Sequence, residues 1–407
     1  MSRIILGVSA GIAAYKVCEL VRRLRDESHD LTVVPTPASL EFVGPHTWAA
    51  LSGKPVRTQV WDDVHLVPHV RLGQEADLVV VAPATADLLA RAAGGRADDL
   101  LTNVLLTARC PVIYAPAMHT EMWMHPATEA NVATLRTRGA VVLDPDSGRL
   151  TGADSGAGRL PEPAELLSVA LAVLANPTVA GRAAARDLAG LTVAVSAGGT
   201  REHLDPVRFL GNSSSGLMGW AVARAAALRG ASVRLVAANV ATPPPLNTAA
   251  QSVTSTAELA AAMAAAAKDA DVVVMAAAPA DFTPAAPSST KIKKSGDSGL
   301  QLELLQTADV LAGLVAARTD DRQVLVGFAA ETPNGDQSLV DLGRAKFQRK
   351  GCDLLVLNEV GPGLVFGRPD SEITLINSDG VRGPITGSKD TLAHHILDAA
   401  LTMRSSQ

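Results

Sequence analysis

Two strand-to-helix turns carry the residues best suited to hold an anion. The first, RIILGVSAGIAAYKVCELVRRL from Arg3, places Gly7 and Gly11 around the end of an apolar run. Backbone N–H groups and a helix N-terminus at such a turn favour a phosphate. The second, LTVAVSAGGTREHLDPVRFLGNSSSGLMG from Leu191, sets Gly198 and Gly199 at a strand mouth, followed by the donor-rich Gly211–Gly219. Such loops suit phosphates and acyl oxygens, although tight packing, N-caps and turns draw on the same residue types. The fingerprint GxGxxG is absent, and after the first turn no acidic residue ends a second strand in register, which weakens a nicotinamide dinucleotide reading. Two anion-holding turns on one chain predict two active sites.

The turns need parallel strands beneath them. In the first half, apolar runs at Ile4–Val8, Leu31–Val34, Leu78–Ala82, Pro111–Ala115 and Val141–Leu143 alternate with helical patterns. Strands apolar on both faces and separated by helices make a covered parallel sheet. The pattern pauses at Ala175–Gly190, where Pro177, Gly181 and Gly190 interrupt any apolar period. It restarts with Thr192–Val195, Ser232–Ala237, Asp271–Ala276, Val324–Phe328 and Leu354–Leu357, then a late strand at Glu372–Ile376 and a helix from Lys389. The expected class is α/β with two Rossmann-like domains, residues 1–178 and 191–407, joined by a linker at 179–190. Pro243–Pro245 and Pro284–Ser289 read as loops, and Ser295–Gly299 as a Gly/Ser-rich, mobile one.

Composition sets the outer bounds. A chain of 407 residues favours two or three cores, and an apolar fraction of 47 % with only 3 % aromatics leaves Ala, Val and Leu to pack them. A net charge of −5 provides no global attraction to nucleic acid or membrane, so local groups must hold any anionic ligand. Cys18, Cys110 and Cys352 lack disulfide or zinc spacing. The first strand starts too close to Met1 for a leader, and the Ala-rich run Ala257–Ala270 carries Glu258, Lys268 and Asp269, so a cytoplasmic location is expected.

Further motifs in the first half are HVRL (His69–Leu72), APATAD (Ala82–Asp87), GRADDLLT (Gly95–Thr102) and APAMHTEMW (Ala115–Trp123). In this order they resemble the flavin-dependent cysteine decarboxylases, specifically the decarboxylase half of bifunctional phosphopantothenoylcysteine decarboxylase/phosphopantothenate–cysteine ligases of coenzyme A synthesis. The resemblance implies a flavodoxin-like fold and an FMN site at Ser9, Gly11, Ile12, Ala13, Thr36, Pro83, Ala84, Thr85 and Met118. It makes His69 the catalytic histidine, and imidazole, which changes charge near neutrality, suits proton handling at a thiol. His65 is its local competitor. Flavin is needed because a carboxylate on saturated carbon beside nitrogen has no electron sink until the adjacent CH₂–SH is oxidised. Two positions depart from the family. His119 stands where an asparagine binds the substrate carboxylate, and a histidine can still donate to it. The flap at Ser147–Leu160 has Gly152 where the family has a proton-donating cysteine. Losing a general acid costs ~10²–10⁴ in rate. Asp154, Ser155 or a water is the expected stand-in, and Cys110, just before a strand, is expected in the core.

In the second half, AAAPADF (Ala276–Phe282), KIKK (Lys291–Lys294), VGFAAET (Val326–Thr332) and AKFQRKGCDLLVLN (Ala345–Asn358) resemble the ligase half of the same enzymes. That resemblance implies amide formation through a mixed anhydride with CMP, from CTP and Mg²⁺, whose triphosphate charge needs local neutralisation. Lys291, Lys346 and Lys350 match CTP-contacting lysines, with Lys291 suited to the acyl-transfer steps. Met275, Ala276, Ala277, Asp281, Ala308, Asp309, Val310, Leu311 and Phe328 match the nucleotide site, and Asn212 matches the residue that steadies the acyl-cytidylate. Leu217 replaces a lysine of the SSGK-type loop, and Pro279 replaces a valine and deletes a backbone donor.

The leading expectation is a two-site enzyme that joins 4′-phosphopantothenate to L-cysteine and decarboxylates the product. The resemblance implies homo-oligomers: decarboxylase trimers stacked into dodecamers, with ligase dimers. The rivals are a ligase with a non-catalytic flavin-binding half, a nicotinamide-dependent oxidoreductase, and a regulatory protein without catalysis. Metal-ligating residues do not follow from the sequence.

Overall fold

Apolar runs alternate with helices along the whole chain, and they condense into two units, Met1–Asp187 and Leu188–Gln407. A computed structural model describes residues 1–61, 68–150, 154–293, 299–332, 337–359 and 370–406. His65, Gly152, Lys294 and Ser295–Ser298, singled out above, lie outside these described residues.

Unit 1 runs β1 (Arg3–Val8), α1 (Ala14–Asp26), β2 (Asp30–Pro35), α2 (Pro45–Ser52), α3 (Pro68–Glu75), β3 (Leu78–Ala84), α4 (Ala86–Ala93), α5 (Leu100–Thr107) and β4 (Val112–Pro116). It continues with α6 (Thr120–Trp123), α7 (Pro126–Thr137), β5 (Val141–Val142), β6 (Asp146–Arg149), β7 (Ser155–Arg159), α8 (Pro163–Ala175) and α9 (Thr178–Ala185). Five parallel strands lie in the order β2-β1-β3-β4-β5. That is the flavodoxin-like doubly wound order, whose switch point lies between β1 and β3. Every residue of β3 is buried, as a strand covered on both faces requires. Gly7 serves packing: an added Cβ would lie 2.5 Å from Leu101 Cδ1 on α5. Thr85 caps α4, and Asp99 with Thr102 forms a capping box on α5.

All five strands expected in this half are present. The antiparallel β6–β7 hairpin was not foreseen, because DSGR and SGAGR carry none of the apolar alternation that marks a strand. The stretch read as a linker holds α9, whose Val179, Ala180, Ala183 and Ala184 are buried at helical spacing, and the two units divide after Asp187. Small Ala side chains hid that period.

Unit 2 runs β8 (Thr192–Gly198), β9 (Arg201–His203), β10 (Phe209–Gly211), α10 (Leu217–Leu228), β11 (Ser232–Ala238), β12 (Ala250–Val253), α11 (Thr256–Ala267), β13 (Val272–Met275) and β14 (Phe282–Pro284). It closes with β15 (Leu304–Gln306), α12 (Val310–Ala317), β16 (Val324–Glu331), α13 (Leu339–Lys350), β17 (Leu354–Glu359), β18 (Asp370–Asn377), β19 (Gly380–Ser388) and α14 (Lys389–Ser406). The main sheet is β12-β11-β8-β13-β16-β17-β18-β19, parallel as far as β17 and antiparallel beyond it. Its parallel part follows the Rossmann order, with the switch point between β8 and β13.

Two cores flank this sheet. Trp220 and Val222 of α10 and Leu392 and Ile396 of α14 pack on one face. Leu259 and Met263 of α11 and Leu311 and Leu314 of α12 pack on the other, with Leu339 and Phe347 of α13 against them. Buried Arg229, the C-cap of α10, pairs with Asp398 on α14 at 2.8 Å. The six strands expected in this half are present, and the last helix starts at Lys389. The short β9–β10 and β14–β15 ladders and the edge strands β12 and β19 were missed, and Pro284, read as loop, pairs with Leu304.

Candidate active sites

In unit 1 the strand ends at the switch point are tied by one hydroxyl. Ser9, buried after β1, donates from Oγ to the Pro83 carbonyl at 2.7 Å and accepts from the Thr85 N–H at 3.0 Å. Thr85 Oγ1 is 3.2 Å from the same oxygen. The buried Thr36 joins from β2, its N–H donating to the Val8 carbonyl at 2.8 Å. Ala117 N–H donates to the Ala84 carbonyl at 3.1 Å, which brings Met118 alongside. Ahead of α1 the N–H groups of residues 10–13 meet no protein acceptor among the described residues, whereas Ala14 already bonds back to Gly11. Ile12 beside these donors is 72 % exposed, and N–H groups at such a turn are of the kind that can meet an anion. Ser9, Gly11, Ile12, Ala13, Thr36, Pro83, Ala84, Thr85 and Met118 therefore gather at the strand ends.

The hairpin sits on the next turn. Met118 N–H donates to the Gly158 carbonyl at 2.9 Å, and an added Cβ at Gly158 would collide with the Met118 carbonyl. This close approach sets His119 near the flap, with His119 Nδ1 3.9 Å from Asp154 Oδ2. The two residues proposed for carboxylate binding and proton supply thus face each other. Cys110 stands near the start of β4, the opposite edge of a parallel sheet, and burial pushes its thiol up to about 11. His69 lies on α3 against α5, its carbonyl accepting from Thr107 Oγ1 at 2.9 Å, and its buried Nδ1 has no partner among the described residues. Among the described residues no hydrogen bond joins it to the Ser9–Thr85 group.

Unit 2 opens a cavity of about 550 Å³ over the ends of β13 and β16, within the usual range for ligand pockets. Its β13 wall is stapled to the Gly198–Gly199 turn: Ala277 N–H donates to Ser196 Oγ at 3.1 Å, Ala278 N–H to the Gly198 carbonyl at 2.8 Å, and Ala280 N–H to Thr200 Oγ1 at 2.7 Å. Gly198 has φ +87°, and a Cβ there would strike the Ala238 carbonyl. Asn212 Nδ2 donates to the Pro279 carbonyl at 2.7 Å, so the proline retains a role as acceptor. Met275, Ala276, Ala277, Asp281, Ala308, Asp309, Val310, Leu311 and Phe328 all line the cavity with Asn212.

Lys346 and Lys350 of α13 reach the same space. Lys346 Nζ donates to Glu331 Oε1 at 2.8 Å, and Lys350 pairs with Asp309, which also caps α12. Burial works to raise the Asp309 carboxyl, but the Lys350 ammonium and the Ala312 N–H outweigh it and hold it below the usual carboxylate range. Lys291 is not brought in. It is exposed on a segment anchored elsewhere, where Ile292 N–H donates to Asp205 Oδ2 at 3.1 Å and Arg208 Nη1 to the Ile292 carbonyl at 3.0 Å. Gln306, Thr307, Ser371 and Lys389 also line the cavity outside the motifs read from the sequence, and Asn358, the last residue of the motif Ala345–Asn358, lines it as well. Ser371 and Lys389 are lone polar residues near the start of an element, with no motif around them. Burial pushes the Lys389 ammonium down, partly offset by Asp370 and Asp390.

Among the described residues no helix is long and apolar enough to cross a membrane. Residues 1–175 match the family model Flavoprotein, and residues 188–403 match DNA/pantothenate metabolism flavoprotein C-terminal domain. The coenzyme A biosynthesis bifunctional protein CoaBC of Mycobacterium tuberculosis (strain ATCC 25618 / H37Rv) is 55 % identical over 406 residues, covering 98 % of this chain and 96 % of that protein. The protein of the same name from Mycolicibacterium smegmatis is 53 % identical over 411 residues, covering 100 % and 98 %. That from Escherichia coli (strain K12) is 40 % identical over 405 residues, covering 98 % and 97 %. With both units matched in order and nearly the full length shared, the chain belongs to the family of bifunctional coenzyme A biosynthesis proteins, a flavoprotein domain followed by a DNA/pantothenate metabolism flavoprotein C-terminal domain.

Proposed function

We propose that unit 2 joins 4′-phosphopantothenate to L-cysteine at the expense of CTP, and that unit 1, holding FMN, decarboxylates the resulting 4′-phosphopantothenoylcysteine to 4′-phosphopantetheine. The chain is a bifunctional coenzyme A biosynthesis enzyme, with a decarboxylase and a ligase half. The observation that carries the finer reading is the pair of switch-point sites, one built of uncharged donors and one lined by lysines.

In unit 2 the substrate carboxylate attacks the α-phosphorus of CTP and pyrophosphate leaves. The cysteine amine then attacks the acyl carbon, and CMP leaves. Lys346 and Lys350 offset the triphosphate charge, and the Asn212 amide faces the oxyanion that develops at the acyl carbon. Among the described residues no group of three or more His, Cys, Asp or Glu is placed to cage a metal. Mg²⁺ therefore enters on the triphosphate, as this ion commonly does, with Asp281 the nearest lining carboxylate of the β13 loop.

In unit 1 the N–H groups of residues 10–13 fit the FMN phosphate, and Ser9, Thr85 and Met118 border the ring. Bound FMN supplies a reversible hydride acceptor for the thiol-bearing carbon. His119 donates a hydrogen bond to the substrate carboxylate until it leaves as CO₂. The proton that completes the product comes from the His119–Asp154 pair, with Nδ1 holding it and Oδ2 positioning the ring. His69 handles the thiol proton. In the implied trimer, within a cytoplasmic dodecamer, His69 of one protomer serves the flavin of another.

Purified protein should be yellow and should release CMP, pyrophosphate and CO₂ from CTP, 4′-phosphopantothenate and cysteine. Colourless protein, or CMP release without CO₂, would remove the decarboxylase half of this reading. The flap without its cysteine and His119 in place of asparagine motivate the non-catalytic flavin module, and yellow protein that releases CMP but no CO₂ would favour it.

A further inference from the structure

Among the described residues no hydrogen bond grips the His69 ring, and its Nδ1 is buried without a partner there. The ring therefore stands where α3 puts it. A helix of eight residues does not hold itself in water, so the place of α3 follows from what it packs on, and that is α5. Leu72 of α3 packs against the core cluster that contains Val104 of α5.

Two closer contacts seat α3, and both meet at Thr107, the last residue of α5. Thr107 Oγ1 has one proton and three carbonyls in reach. That of His69 is nearest at 2.9 Å, while those of Asn103 and Val104 in its own helix stand at 3.1 Å. One turn along α3 from His69, the buried Gly73 touches the same residue. An added Cβ there would strike Thr107 Oγ1 and lie 2.9 Å from both the Thr107 carbonyl carbon and the Val104 carbonyl oxygen. Backbone atoms cannot turn aside, so a larger residue at Gly73 must lift α3 from α5 and carry His69 with it. Helix α5 is itself fixed. The GRADDLLT motif closes its first turn with the Asp99–Thr102 capping box, Arg91 holds Asp99 at 2.8 Å, and the Leu100 N–H donates to the Thr58 carbonyl at 3.1 Å. Leu101 fills the space that a Cβ on Gly7 would take, two residues before Ser9 on the flavin turn.

We propose that Thr107 and Gly73 are positioning residues for His69, acting through the contact between α3 and α5. The proposal rests on the reading in which His69 handles the thiol proton.

Release of CO₂ from 4′-phosphopantothenoylcysteine by the full-length protein tests it. Displacing a reacting group by about 1 Å costs up to about a hundredfold in rate, so Gly73→Ala should lower kcat about tenfold to a hundredfold. Flavin absorbance and CMP release from CTP should not change. Thr107→Val, which exchanges the hydroxyl for a methyl, should lower kcat about twofold to tenfold, the size of one neutral hydrogen bond. Thr107→Ser should restore it, and this pair serves if Gly73→Ala does not fold. A packing role alone would lower activity whatever stands at position 69, whereas positioning acts only through the imidazole. In a His69→Asn background, therefore, neither Gly73→Ala nor Thr107→Val should lower CO₂ release further. Unchanged kcat in either single variant would strike that residue from the proposal, and equal losses with and without the imidazole would overturn it whole. Wild-type CO₂ release by His69→Asn itself would instead overturn the reading of His69 on which it rests.

Discussion

The two sites solve the same problem with different materials. Both lie where the strand order reverses, β1/β3 in unit 1 and β8/β13 in unit 2, so both inherit a crevice from topology. In unit 1 the gathered residues are uncharged, and backbone N–H groups face a ligand expected to carry one phosphate. In unit 2, Lys346, Lys350 and Lys389 enter the lining, opposite a ligand expected to be a triphosphate. The chemistry also sits differently. Unit 2 gathers most of its candidate groups in one cavity, while unit 1 leaves His69 on α3. The ligand's charge decides how much ammonium a switch-point site needs, and the fold supplies only the crevice.

The sharpest way to break this comparison is to disable one site and read the other. His69→Asn should lower CO₂ release by ~10²–10⁴ while CMP release from CTP is unchanged. Parallel decarboxylation and pyrophosphate assays check this, and a matching loss in both would mean the units are not chemically independent. Lys350→Gln removes a lining ammonium and should raise the KM for CTP about tenfold to a hundredfold, the range of a charge-assisted contact, with the flavin spectrum unaltered. Gly198→Ala forces a Cβ into the Ala238 carbonyl at positive φ. It should destabilise unit 2 by about 1–3 kcal/mol, visible as a lower melting temperature for that unit and unchanged flavin retention by unit 1.

The smallest effect concerns pH. Burial works to raise the Asp205 carboxyl, but the N–H groups of Val207, Arg208 and Ile292 and the Arg208 guanidinium outweigh it and lower it to about 2. A carboxyl depressed in the folded state contributes stability that is present above its unfolded value, near 4, and lost as pH falls toward 2. Melting of unit 2 followed from pH 5 to pH 2 should therefore be shallower in Asp205→Asn than in the wild type. An identical slope would show that Asp205 does not hold the Lys291 segment as the geometry indicates.

Much of this was legible in the sequence because local physics dictated it. Eleven apolar runs became strands because residues such as Val79–Val81 and Val272–Val274 are apolar on both faces, and that requires a covered parallel sheet. The motif turns fell at strand ends for the same reason, and the order of those motifs made the family recognisable. Other features left no local signal. The β6–β7 hairpin and helix α9 are rich in Gly, Ser, Arg or Ala, and the ladders β9–β10 and β14–β15 have strands of only three residues, too short for an alternating pattern, so their structure depends on what they pack against.

Residue chemistry and spacing alone determined that this chain carries two main parallel-stranded sheets with a Gly-rich turn at the end of the first strand of each. Tertiary structure decided which side chains share a site. It brought His119 to Asp154 through the close approach of Gly158, set His69 on α3 against α5, tied the Lys291 segment to Asp205, and drew Lys389 into the cavity lining although no motif contains it. Strand formation is settled over a few residues, whereas a site is the meeting of chain segments far apart in sequence, and only the packed sheet order sets which ones meet.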